Sequence, residues 1–206
     1  MRCKVRPIAA QRNGALYSLA VSTRNGPRKA EAIFAATLEL LAEHGYDKLA
    51  IEAVAARSGV NKTTLYRWWP SKDALLAAAL RDSGLFAVDV PDTGGLRGDL
   101  LAVATQIHRL LTSERTAPVV TAALTASPRR PELGDVARSF FADRMAREEP
   151  IFDRATARGE LRAGVDPVLI MDLLAGAIWF RLLLRGGEAD AKFLEQVVDT
   201  VLGGAA

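Results

Sequence analysis

Cysteine is all but missing from this 206-residue chain: Cys3 stands alone, so no disulfide can close within it. Histidine is nearly as scarce, with only His44 and His108. One cysteine and two histidines fall short of the four ligands a structural zinc site takes. No metal and no cofactor is therefore expected, and a reducing, cytoplasmic setting suits the lone thiol. A long uninterrupted apolar run is lacking too. The most apolar stretch, residues 168–184, contains Asp172 and Arg181 and falls short of the ~20 residues a bilayer asks for, so no membrane span is expected. The N-terminus has no apolar run leading to a small-residue cleavage site.

Catalytic signatures are absent as well. There is no GxSxG, no GxxxxGK[ST] and no HExxH, and the two histidines lie far apart. Most carboxylates sit beside Arg or Lys, as on solvated helix faces. An enzyme is not expected.

Acidic residues are missing in two places, residues 1–26 and residues 61–72. Residues 1–82 carry 13 Lys and Arg against 7 Asp and Glu, whereas the remainder carries 14 against 17. A basic first part and a mildly acidic second part suggest that the first meets a polyanion. Residues 1–26 read as a flexible basic arm able to follow a phosphate backbone or enter a minor groove; the alternatives are a dispensable tail or a misplaced start, with translation beginning near Val21.

What is present in quantity is helix. Half the residues are apolar, enough for a buried core. Pro27 suits a first turn, after which Ile33, Phe34, Leu38 and Leu41 recur at three- and four-residue steps until Gly45. Further helices are predicted over 51–57, 61–68, capped by Asn61, and 72–81, capped by Ser71. Residues 82–95, with Gly84, Pro91, Gly94 and Gly95, read as a connector. Beyond it the spacing predicts helices over 96–112, 117–125, 131–158 with Pro150 as an expected break, 166–185 and 189–202. No alternating β-branched run and no repeat appears. The chain is expected to be all-α, with about nine helices, in three parts: a basic arm (1–26), a small helical domain (27–82) and a larger C-terminal helical domain (83–206).

The segment 51–69, IEAVAARSGVNKTTLYRWW, has the mechanical requirements of a helix-turn-helix. Val54, Val60 and Leu65 can share a small core, Ala55 lets two helices approach, and Gly59 supplies the turn. The second helix then offers Asn61, Lys62, Thr63, Thr64, Tyr66, Arg67 and Trp68: amide, hydroxyls, cations and aromatics, without a carboxylate. An ordinary helical hairpin would share the glycine turn but not the acid-free face.

Residues 28–81 resemble the N-terminal domain of the TetR family of bacterial repressors. The matching stretches are Gly45-Tyr46, Ile51, Val54-Ala55, Ser58-Gly59-Val60, the run from Lys62 to Lys72, and Leu75-Leu76. That resemblance implies that the helix from Asn61 to Trp68 lies in the major groove of double-stranded DNA. Lys62 and Thr63 would face bases, and Thr64, Tyr66 and Lys72 would hold phosphates. Trp68 stands where the family often has a DNA-facing His, while Trp69 takes the buried aromatic position. One departure is Ala50, where the family usually has Thr or Ser as cap and phosphate contact; losing the cap costs ~1 kcal/mol.

The same resemblance implies that residues 27–82 are a three-helix helix-turn-helix DNA-binding domain and residues 83–206 a ligand-binding and dimerisation domain: a homodimer on a palindromic operator, with the last two helices pairing with their copies, and an unidentified small-molecule effector. On spacing, Leu173, Ala177, Phe180 and Leu184 form one dimer stripe, with Phe193, Val197 and Val201 on the last helix. A central core helix of a monomer is the alternative. Candidate ligand-lining residues are His108, Phe141, Met145, Met171 and Trp179, with Phe140 and Phe152 as walls, and an apolar or aromatic ligand. The rival function is a DNA-binding protein that takes no ligand and uses its C-terminal helices only for assembly or protein contacts.

Overall fold

The structure, a computed structural model, describes residues 29–87, 89–126 and 129–205. The arm predicted over 1–26, and Pro27, lie outside the described residues. Those described form nine helices and no strand.

Helix α1 (Ala30–Lys48) buries Ile33, Phe34, Thr37, Leu38, Leu40 and Leu41 along one flank. Its backbone leaves helical geometry at Gly45, at φ 71° and ψ 175°, as a left-handed residue does most cheaply when it is glycine. Past that break one more turn, Tyr46 to Lys48, presents the Tyr46 ring inward. Helix α2 (Ile51–Ser58) and helix α3 (Lys62–Trp68) are joined through Gly59, again left-handed at φ 62°. The turn closes with Val60 N–H on the Ala55 carbonyl at 3.0 Å. Val54 and Leu65 are completely buried between the two helices. Helix α4 (Lys72–Asp82) starts immediately after Pro70, with the Ser71 hydroxyl accepting from Ala74 N–H at 2.9 Å.

The second half comprises α5 (Leu96–Thr112), α6 (Ala117–Ala126), α7 (Pro131–Ala157), α8 (Pro167–Trp179) and α9 (Ala191–Ala205). The expected break at Pro150 does not occur: α7 runs through it. Pro150 and Ala146, whose carbonyl loses its intrahelical donor, are both exposed, so water can replace that bond. Beyond the proline, Ile151, Phe152 and Ala155 are buried and hold the last turns in line. The predicted helix to residue 185 is instead an α-helix ending at Trp179 and a wider π-turn, Phe180–Leu184.

Two cores organise these helices. The first gathers α1 to α4 and is closed by Val119 of α6 and Leu133 of α7. The second joins α5, α7, α8 and α9 around Leu100, Val103, Ile151, Leu174, Ile178 and Val198. The predicted connector is pinned between them. Thr93 donates through its N–H and hydroxyl to buried Asp99, and Arg154 donates to the Pro91 carbonyl at 2.6 Å.

One run among the described residues, Pro167–Leu184, is long and apolar enough to cross a membrane by length and composition, which corrects the sequence reading that it falls short. Its Ile170, Met171, Leu174 and Ile178 pack into the second core. Val168, Leu169, Leu173, Phe180 and Leu184 stay exposed, Leu184 at 76%.

Candidate nucleic-acid interface

Short-range signals set α3. The Asn61 side chain accepts from Thr63 N–H at 2.8 Å, satisfying a donor that the first helical turn leaves without a partner. Leu65 is fully buried and anchors the helix from below. Trp69, immediately after α3, packs edge-on against Phe34 at 5.5 Å between ring centroids and joins the first core.

The outward face then follows from the helical period. Lys62, Thr63, Tyr66, Arg67 and Trp68 are exposed and Thr64 is half-buried. Tyr66 and Trp68 keep 42% and 40% of their surface open, large for aromatic side chains in a folded chain. The Lys62 ammonium lies 5.6 Å from the Tyr66 ring centroid, and the Arg67 guanidinium 6.0 Å from that of Trp68. Cations interleaved with aromatics give a face that can meet phosphates and base edges.

Tertiary structure adds an acid that the acid-free run 61–72 does not reveal. Glu52 of α2 reaches the Lys62 ammonium at 2.5 Å, and this hydrogen bond raises the lysine pKa and lowers that of the carboxyl. Both side chains are more than half exposed, so water screens the pair and a phosphate or base edge can compete for the lysine.

Lys72 is engaged differently. Its ammonium donates to the Tyr46 carbonyl at 3.0 Å and lies 4.1 Å from the Tyr46 ring centroid. Burial lowers its pKa, with nearby Arg130 adding to the effect. The Tyr46 hydroxyl donates to Asp73; burial, helped by that carboxylate, pushes its pKa well above the usual tyrosine range. Sequence reasoning missed Arg130, which also stands over the Tyr46 ring, because it lies far along the chain. It missed Lys29 too, whose ammonium donates to the Gly59 carbonyl at 3.2 Å and steadies the turn. The Arg57 guanidinium grips both oxygens of Glu43, at 2.7 and 2.9 Å, and ties α2 to α1. Ala50 makes no side-chain cap; only its carbonyl serves α2, accepting from Val54 N–H.

The other candidates separate into several places. His108 lines an open groove of about 580 Å³ beside the start of α9, with Leu101, Thr105, Leu182, Ala189 and Leu194. Phe141 and Trp179 meet at 6.1 Å in a row of rings continued by Phe140 and Phe86. Met145 and Met171 pack into the second core, as does Phe152. Of the five ligand candidates, then, ring contact joins only Phe141 and Trp179. Leu173 of α8 and Phe180 and Leu184 of the π-turn after it form an exposed stripe, with Ala177 half-buried along it. Phe193 and Val197 of α9 are half-buried against the second core, and Arg181 lies over the Phe193 ring at 4.3 Å.

Comparison with known proteins accounts for both halves of this arrangement. Residues 33–79 match the model of the bacterial regulatory proteins of the tetR family, and residues 90–201 that of the tetracyclin repressor-like C-terminal domain. An uncharacterised HTH-type transcriptional regulator of Bacillus subtilis, YdeS, is 32% identical over 86% of this chain and 91% of its own length. A DNA-binding transcriptional repressor TetR of Mycobacteroides abscessus is 35% identical over 86% and 93%. Among solved structures, the TetR family transcription regulator SCO0332 superposes with a TM-score of 0.67 at 34% identity, covering 86% of this chain and 97% of that one. With its helix-turn-helix and its C-terminal helical domain both matched, the chain belongs to the TetR family of transcriptional regulators.

Proposed function

We propose that two copies of this chain bind a roughly palindromic operator in the cytoplasm, one α3 in each of two major-groove half-sites, and repress transcription until a small molecule in the C-terminal half releases them. One observation carries the DNA contact: α3 offers Lys62, Thr63, Thr64, Tyr66, Arg67 and Trp68 on a face without a carboxylate of its own, fixed from beneath by Leu65 and Trp69. Lys62 and Thr63 read bases, and Thr64, Tyr66 and Lys72 hold phosphates. The bare stripe of Leu173, Phe180 and Leu184 supports the pairing of copies, since apolar side chains so exposed gain by mutual burial. Release follows when a ligand binds more tightly to the form whose two reading helices no longer fit adjacent half-sites.

The scatter of His108, Met145 and Met171 over groove and core favours a second reading, in which the C-terminal helices only assemble the dimer or contact other proteins. Sequencing the genomic fragments that the protein selects tests the first reading. A shared palindromic motif, shifted by Lys62→Ala and kept but weakened by Tyr66→Phe, is expected. Fragments without a common motif would overturn it.

A further inference from the structure

We propose that Arg130, carried by the regulatory half of the chain, is a DNA phosphate contact that extends the edge formed by Lys72. The inference rests on the DNA-binding reading above. Helices α4 and α7 begin side by side at the end of the molecule where α3 finishes: Ser71 reaches Glu132 at 3.4 Å, and Arg130 Nη1 lies 3.7 Å from Asp73 Oδ2. The Tyr46 ring gathers the two cations, with Lys72 Nζ at 4.1 Å and Arg130 Cζ at 4.5 Å from its centroid.

The nearby Asp73 carboxylate offsets only part of their charge. Asp73 accepts the Tyr46 hydroxyl through Oδ1, and its approach to Arg130 is wider than a hydrogen bond. The Arg130 side chain keeps 41% of its surface exposed, so its planar donors can turn toward solvent. Two cations held against one ring repel each other, which adds to the burial that lowers the Lys72 pKa. A phosphate oxygen brought to that edge relieves the repulsion, and a guanidinium can hold it through two parallel N–H donors. Lys72 lies only four residues beyond exposed Trp68, so the pair continues the reading face onto the duplex backbone.

The other role open to Arg130 is purely structural, clamping α7 onto Tyr46 and Asp73. Salt dependence separates the two. The affinity of the full-length protein for its selected operator, and for an unrelated duplex of equal length, is measured against KCl concentration. Neutralising one phosphate contact contributes a slope of about −0.9 in log K against log salt, or about eightfold in affinity at 0.1 M. Arg130→Met is expected to weaken both duplexes by about that factor and to flatten the slope by about 0.9. Arg130→Lys should restore most of the slope, and Arg130→Met with Lys72→Ala should flatten it about twice as much. A melting curve of each variant monitors the clamp. An unchanged slope in Arg130→Met, whatever its melting temperature, overturns the proposal. Failure of the wild-type protein to prefer its selected operator overturns the DNA-binding reading beneath it.

Discussion

The two halves of the chain are both helical, yet they fix their functional residues by different means. In the reading head, a cap at Asn61, a left-handed glycine at 59 and one buried leucine orient all of α3 within a dozen residues. In the second half the candidate residues lie on α5, α7, α8 and α9, so only long-range packing decides which of them meet. Short-range order can be read from a pattern; long-range convergence cannot.

The largest expected effect tests whether α3 depends on its core. Leu65 is 0% exposed, so Leu65→Ala removes contacts on every side and should destabilise the head by roughly 2–5 kcal/mol, read from denaturant unfolding. DNA binding should vanish with it although every outward side chain is intact. Binding that survives unchanged would mean that α3 holds its shape without that anchor.

Next in size is the proposed pairing of copies. Leu173→Glu places a charge on the exposed side of α8, opposite the side that packs into the second core. Light scattering should then report a monomer while unfolding of the head is unaltered. A variant that stays dimeric would move the interface off this stripe.

A smaller effect sharpens the local side of the contrast. Asn61→Ala removes the cap on Thr63 N–H and should cost about 1 kcal/mol, with operator affinity falling as the first turn of α3 frays. Amide exchange at Thr63 should quicken more than at Leu65.

The smallest concerns the second half. Glu148 is buried beside Arg144 in α7, and burial raises its pKa despite the arginine. A carboxyl whose folded pKa exceeds its unfolded value favours folding fully below the unfolded value, near 4.5, and loses that contribution as pH rises through the folded one. Stability should therefore decline as pH rises from about 4.5 through the folded value and level off above it, and Glu148→Gln should flatten the decline. An identical pH profile in the variant would show that other groups set it.

Much of the helix pattern, in the head above all, was legible because its signals are periodic and local. The α5 limits, residues 96–112, coincide with prediction, and α2 to α4 differ by one residue at an end. Glu52 was not legible: it precedes Lys62 by ten positions and meets it only because Gly59 folds α3 back against α2. Pro150 misled, since a proline ends a helix only where the helix has nothing else to hold it, and α7 has Ile151, Phe152 and Ala155. The π-turn at Phe180–Leu184 left no mark in the apolar pattern, because widening a turn changes the hydrogen-bond step and not the residue types.

By itself the sequence determined an all-helical chain, a helix-turn-helix at 51–69 and the side chains that its second helix turns outward. These depend on caps, glycines and a 3.6-residue period, each expressed within a few neighbours. Tertiary structure alone decided that Glu52 tempers Lys62, that α6 and α7 close the first core, and that Arg130 stands on the ring that also carries Lys72. Those pairings join residues from ten to more than eighty positions apart, and packing, with no local propensity to announce it, brings them together.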